Sequence, residues 1–329
     1  MPQKVIVALS GGLDSAMAAS ILKDQGSDVM GVFMRLNDYS DESKAKRIAK
    51  ILKIDFKVID LRKEFKKLII EYFLEELKKG NTPNPCVVCN ELIKFKLFIE
   101  KTKKFKPDFV ATGHYAKIKN KRIFKPKDLN KDQTYFLWRI NNLDNIIFPL
   151  GDYFKKDLIV KAKKKKLPVF PYKESQEVCF ISGSIEDYLK KKIKSKKGNI
   201  VNEKGKVLGT HNGLWFYTIG QRKGIGLSGG PYYVIKKDIK SNSLIVSKNE
   251  KLLIQKEVKL KNINWINKQK LPIKIKAKIR YGQKEVSGIL FKKGKNTILR
   301  FNKGERAITP GQSAVFYKGK ELIGGGIII

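Results

Sequence analysis

An apolar β-branched run, Val5-Ile6-Val7, passes through Ala8 and Leu9 into Ser10-Gly11-Gly12-Leu13-Asp14-Ser15, and from Asp14 to Lys23 the apolar residues recur at helical spacing. A strand that must become a helix within a few residues needs a permissive turn, and adjacent glycines supply one while letting the backbone approach a ligand closely. The turn therefore lies at a helix N-terminus, where unpaired N–H groups and the helix dipole hold phosphate. A Walker loop would end in Gly-Lys-Ser/Thr to grip the β- and γ-phosphates. This segment has no such ending, which disfavours kinase and GTPase chemistry. A bare Gly-Gly would read as a simple strand-to-helix turn, but Ser10, Asp14 and Ser15 around it favour nucleotide binding.

The same alternation continues along the chain. Lys4 to Ser10, Val29 to Met34, Phe56 to Leu61 and Asp108 to Thr112 read as strands. Asp14 to Lys23, Glu42 to Leu52, Glu64 to Lys79, Asn90 to Lys103 and Asp152 to Lys166 read as helices, the last ended by Pro168 and Pro171. Such alternation builds βαβ units and a parallel sheet. Gly80-Asn81-Thr82-Pro83-Asn84-Pro85 predicts a stiff, exposed loop. From about Gly198, glycine turns separate short alternating runs: Leu214 to Ile219, Tyr232 to Ile235, Leu244 to Val246, Ile273 to Ile279 and Thr297 to Phe301. The expected fold class is α/β, with a parallel-sheet domain over 1–195 followed by two small β domains over 196–255 and 256–329. The basic run Lys190 to Lys197 is read as a solvated linker, and no internal repeat is visible.

At 329 residues the chain is long for one domain, and with 42% hydrophobic residues it can fill ordinary cores. No stretch approaches the length of an apolar membrane span and Met1-Pro2-Gln3-Lys4 starts no signal-peptide pattern, so a soluble cytoplasmic protein without membrane contact is expected. A formal charge of +39 would steer a polyanion towards it. Only nine of the 70 basic residues are arginine, however, and a lysine skew alongside abundant Ile and Asn is equally the mark of AT-rich coding composition. Only a basic stripe on one face would decide between the two. In Ile273 to Arg280 a period of two puts Lys274, Lys276, Lys278 and Arg280 on one face, as either an RNA contact or a lysine-guarded edge strand.

Cys86 and Cys89 form a C-x-x-C before the helix expected at Asn90, and Cys179 stands far downstream. Three cysteines in such a chain are too few for a disulfide scaffold. A structural zinc site would have to combine all three with His114, so no metal centre is expected. Cys179, between Val178 and Phe180, could be an inert buried thiol. Cys89 is placed beside a helix N-terminus and near Lys94, which predicts a lowered pKa and a more available thiolate.

The loop Ser10 to Ser15 resembles the pyrophosphatase (PP) loop of adenylating ATPases, which implies cleavage of ATP between its α- and β-phosphates with Mg2+ offsetting the charge. A larger set of segments is similar to the tRNA-specific 2-thiouridylases: Thr82 to Asn90 with Ile93-Lys94-Phe95, Ala111 to Ala116, Lys131 to Phe136, Ser175 to Ile181, Gly209-Thr210-His211, Tyr217 to Gly224, Arg280-Tyr281 and Pro310-Gly311-Gln312. The likeness spans nearly the whole chain in order. It implies that Ala8, Leu9, Ser10, Gly11, Gly12, Leu13, Asp14, Ser15, Met34 and Gly113 contact ATP, although Met34 taken alone reads equally well as a core residue. It further implies that Asn84, Pro85 and Cys86 face the target base, and that His114, Lys131, Asp132, Gln133, Arg280, Tyr281 and Gln312 touch tRNA. Cys89 resembles the family's nucleophile and Cys179 its persulfide carrier. Cys86 departs from members that carry Asp there, and Glu174 replaces the usual Asp before Ser175.

The implied substrate is tRNA with a wobble uridine, and the implied partner a persulfide sulfur-donor protein. The C2 oxygen of uracil belongs to a urea-like carbonyl and leaves poorly until adenylation turns it into AMP. A persulfide on Cys179 can then attack C2, and Cys89 can resolve the adduct as a Cys89–Cys179 disulfide. Free hydrogen sulfide within the site is the competing route. Two rivals remain: an amidotransferase- or lysidine-type ligase, which needs no paired cysteines, and a zinc-stabilised RNA-binding module, which needs no ATP turnover.

Overall fold

Parallel strands buried on both faces need continuous apolar runs, and Val5, Ile6 and Val7 are all but inaccessible. The computed structural model describes residues 1–168 and 178–329. The first strands in chain order are β1 (Lys4–Ala8), β2 (Asp28–Arg35), β3 (Asp55–Asp60), β4 (Phe109–Ala111), β5 (Lys117–Lys119), β6 (Arg122–Phe124) and β7 (Ile146–Ile147). Five of them form a parallel sheet in the order β3-β2-β1-β4-β7. Because β2 lies on one side of β1 and β4 on the other, strand order reverses there, and ligands of open α/β sheets bind beyond the carboxyl ends of strands at such a point.

Helices Leu13–Asp24 and Ser43–Leu52 follow β1 and β2. A longer helix covers 62–78 and turns π-helical over Lys66–Glu71; another covers 85–102 and is π-helical over Cys89–Leu97. The second helix thus starts at Pro85, not near Asn90. Proline at the first helical position is pre-set for helix and has no N–H to lose. The loop before it is not the exposed segment expected. Pro83 and Pro85 are buried because residues 309–312 dock there: Thr82 N–H donates to Pro310 O (2.8 Å) and Gln312 Nε2 donates to Thr82 O (2.7 Å).

Beyond the helix Lys155–Lys164 the chain leaves the described residues until Val178, so Pro171 and Glu174 to Glu177 lie outside them. The basic run read as a linker is partly helix: Ile185–Lys192 buries Leu189, and Ile193 after it is buried too. Lysines mask this in the sequence, since one buried face suffices for an amphipathic helix. Strands β8 (Gly198–Asn202), β9 (Val207–His211), β10 (Tyr233–Asp238) and β11 (Ser243–Ser247) make a sheet in the order β10-β11-β8-β9. The strand expected over Leu214 to Ile219 is instead a single 3-10 turn, Leu214–Phe216, entered through Gly213.

Strands β12 (Ile254–Trp265), β13 (Ile273–Lys278), β14 (Val286–Lys293), β15 (Asn296–Arg306), β16 (Ser313–Lys318) and β17 (Glu321–Ile328) follow in the order β12-β15-β14-β13-β16-β17, and β12 also pairs with β17, closing a barrel. Closure pairs both outer strands of this six-stranded set. The hairpin β5-β6, which sequence order places with the first sheet, adds to this one through Glu321↔Phe124 and Leu322↔Ile123. Trp138 is fully buried, and a Cβ on Gly325 of β17 would lie 2.6 Å from its ring.

Candidate active site

The carboxyl ends of β1 and β4 carry the two segments read as nucleotide-binding, and tertiary structure brings them together. Gly11 has φ +82°, a conformation that favours glycine. The Ser15 hydroxyl donates to Gly12 O (2.9 Å), accepts from Ser10 N–H (3.1 Å) and lies 3.1 Å from Ser10 Oγ, which locks the loop as the helix begins. A Cβ on Gly113 would sit 2.8 Å from backbone atoms of Asp14 and Ser15, so only glycine fits after β4. The Asp14 carboxylate accepts from the Tyr115 hydroxyl (3.0 Å) and pairs with Lys155. Lys155 was not singled out in the sequence, where nothing local separates it from dozens of other lysines. Met34 is half-buried and packs against the apolar cluster behind the sheet.

A cleft of about 280 Å³ joins this loop to Cys179; its walls include Ser10, Phe33, Asn37, Ser40, Asp41 and Cys179. Cys179 is exposed on that wall, and its neighbour Phe180 is the anchor, meeting Phe65 and Phe73 edge-on at 5.8 and 5.6 Å. Cys86, in the first turn of the helix at Pro85, is exposed; Cys89, one turn further in, is buried.

The expected lowering of the Cys89 pKa is therefore overturned. Burial pushes its thiol up to about 12, opposed by Lys94, and the helix N-terminus that was to help it lies one turn back, beside Cys86. Although Cys86 and Cys179 keep exposed surface, partial desolvation by the packing around them raises both thiols, Cys179 adding to the rise at Cys86, and Lys94 opposes it at each. Cys86 and Cys89 lie about one turn apart on the same helix, and the charge of Cys179 raises both thiols.

Of the residues expected to meet RNA, several are tied into the protein. His114 is buried between Phe95 and Phe148, with Nδ1 2.7 Å from Thr112 Oγ1, and burial holds its pKa well below the usual value. Asp132 is buried with Lys278 (2.9 Å) and the N–H of Thr134 (3.0 Å), and the Gln133 side chain accepts from Tyr115 N–H (2.9 Å). Lys131 is half-buried. The Arg280 guanidinium donates to the carbonyls of Arg306 (3.1 Å) and Ala307 (2.6 Å), and Tyr281, 44% exposed, packs against Phe136 with ring centroids 4.4 Å apart. Asn84 is half-buried, and the Tyr135 hydroxyl donates to Ser313 O (3.1 Å). Lys274 and Lys276 are exposed on β13 while Ile275 and Ala277 are buried, but the expected basic face stops there: Lys278 is drawn in to Asp132, and β13 lies between β14 and β16, so it is not an edge strand.

The family models for the tRNA methyl transferase HUP domain, its PRC-barrel domain and the aminomethyltransferase beta-barrel domain match residues 3–183, 186–248 and 255–328. A tRNA-specific 2-thiouridylase of Syntrophomonas wolfei is 42% identical over 337 residues, covering 99% of both chains. The chain belongs to the tRNA-specific 2-thiouridylase family. Family relatives in Clostridium tetani (42% identity, 100% of this chain and 97% of that protein) and Buchnera aphidicola (40%, 99% and 97%) match with similar completeness. A solved 4-thiouridine synthetase bound to RNA and ATP matches 50% of this chain and 40% of its own, at 17% identity and a TM-score of 0.36. Among the described residues no helix is long and apolar enough to cross a membrane.

Proposed function

We propose that this chain is a tRNA-uridine 2-sulfurtransferase: it adenylates the C2 oxygen of the wobble uridine with ATP and replaces that oxygen by sulfur, releasing AMP and pyrophosphate. The observation that carries this reading is the cleft shared by Ser10 of the glycine loop and Cys179, with Cys86 and Cys89 about one turn apart on a helix whose thiols feel the charge of Cys179. Backbone amides of residues 10–15 at the helix start would hold the ATP phosphates, with Ala8, Leu9, Met34 and Gly113 around the nucleotide. Magnesium would arrive on the triphosphate; Asp14 supplies a carboxylate at the loop, as magnesium bound chiefly by phosphate requires. When bound, it offsets the phosphate charge.

A donor protein would load Cys179, whose exposure suits hand-over, and the persulfide attacks C2 as AMP leaves. Cys89 then attacks the Cys179 sulfur of the adduct. The S–S bond of the adduct breaks, a Cys89–Cys179 bond forms, and sulfur stays on C2. Asn84, Pro85 and Cys86 would face the base; His114, Lys131, Asp132, Gln133, Arg280, Tyr281 and Gln312 would contact or shape the tRNA surface. The units over 1–195, 196–255 and 256–329 would serve as catalytic, central and tRNA-binding parts of an enzyme working in the cytoplasm.

The test is incubation with unmodified tRNA, ATP, magnesium and a persulfide donor, followed by nucleoside mass analysis. A gain of one sulfur for one oxygen at the wobble uridine is expected. Failure to form it under conditions where tRNA and ATP both bind would overturn the reading.

A further inference from the structure

The helix that carries Cys89 departs from α geometry over Cys89–Leu97, where hydrogen bonds run i→i+5, as from Phe98 N–H to Ile93 O. Stretches of this kind are rare and recur at functional sites. Their consequence here is angular: Lys94 follows Cys89 by five residues, which in an α-helix would set the two about 140° apart around the axis, but in a π-helix is little more than one turn. The stretch therefore swings Lys94 round to the face of Cys89. Lys94 is half-buried between Ile93 and Phe95, and among the described residues its ammonium makes no ion pair.

We propose that Lys94 is the counter-charge that lets the sulfur-transferring groups exist as anions inside the site, a role that rests on the sulfurtransferase reading above. The transfer needs two anions in turn, a persulfide at Cys179 and a thiolate at Cys89, in surroundings that favour neutral sulfur. Cys89 is buried, and partial desolvation is the leading influence even on the exposed Cys86 and Cys179; the cation common to all three is Lys94. An ammonium in a desolvated pocket acts on a nearby anion more strongly than one in water. The same charge reaches His114 and helps keep its ring neutral, so Lys94 faces the thiols as the cation of the site rather than as one of a pair. Lys94 acts through the cysteines and is a positioning residue.

The test compares wild type, Lys94→Met and Lys94→Arg by alkylation with iodoacetamide over a range of pH, with each cysteine followed by peptide mass analysis. Lys94→Met is expected to slow alkylation of Cys179 at pH 8 roughly tenfold and to displace its profile about one unit upward, whereas Lys94→Arg keeps the wild-type profile. Thiolation by Lys94→Met should lose kcat with little change in KM for tRNA and recover partly at higher pH. Superimposable wild-type and Lys94→Met profiles overturn the proposal; Lys94→Gln serves if Lys94→Met does not fold. Alkylation needs neither tRNA nor ATP. A wild type that alkylates as expected but never thiolates tRNA therefore sinks the sulfurtransferase reading and with it the transfer role of Lys94, leaving only its effect on the thiols, while normal thiolation with unmoved profiles sinks the role of Lys94 and leaves that reading intact.

Discussion

The glycine loop and Cys179 line one cleft, yet the loop and the thiol site are built in opposite ways. Between Ser10 and Ser15 the loop is held by its own hydroxyls and carbonyls, so its shape follows from neighbouring residues. The thiols belong to segments far apart in sequence, joined by an aromatic wedge of Phe180 against Phe65 and Phe73, a π-helical turn, and a loop pinned from the barrel by Gln312. The loop is thus robust to distant change but intolerant of added volume, whereas the thiol site can be spoiled from far away.

The largest effects should come from the sulfur atoms themselves. Cys89→Ser and Cys179→Ser are each expected to lower thiolation by more than about 10³-fold, since nucleophile losses are of that size or larger, while tRNA-dependent pyrophosphate release stays measurable. Cys86→Ser should keep substantial thiolation, and peptide mapping after turnover without reductant should find Cys89 joined to Cys179. A dead Cys86→Ser with an active Cys89→Ser would reverse the assignment.

Next is Gly113→Val, which forces a side chain to within 2.8 Å of the loop backbone. Displacing the loop by about 1 Å should cost adenylation on the order of 10²-fold, read as pyrophosphate release, without altering cysteine alkylation. Full adenylation in this variant would show that β4 does not brace the loop.

The resting thiols sharpen the contrast through pH. With its pKa pushed up to about 12, Cys89 remains mostly protonated well past the pKa of an ordinary thiol, so its thiolate fraction rises about tenfold per unit of pH throughout that range. Alkylation of Cys89 should keep climbing above pH 9, where a free cysteine levels off; a plateau near pH 8 would mean the site is wetter than its packing indicates.

The smallest effect is expected at the barrel's grip on the loop. Gln312→Ala removes one hydrogen bond to Thr82 O and should cost about 1 kcal/mol of stability in chemical denaturation, with a few-fold loss in thiolation and none in ATP binding. Loss of ATP binding instead would tie the two regions more closely than their contacts do.

Much of this was legible in the chain itself. The β-branched run before Gly11-Gly12, the strand–helix rhythm and the C-x-x-C are short-range patterns, and the backbone answers to them within a few residues. The helix start was misplaced at Asn90 because Pro85 reads as a breaker when it follows Pro83, although proline at the first helical position begins a helix equally well. Burial lay beyond the sequence: Cys89 reads as an activated thiol beside a helix end, and only the packing of Phe180 and its neighbours reveals the desolvation that outweighs the dipole. Lys94 was legible beside Cys89, but the placement of β5-β6 on the barrel and of Lys155 on Asp14 was decided by tertiary structure. A lysine's meaning depends on which charge the fold puts opposite it, and among this many lysines sequence spacing cannot say which.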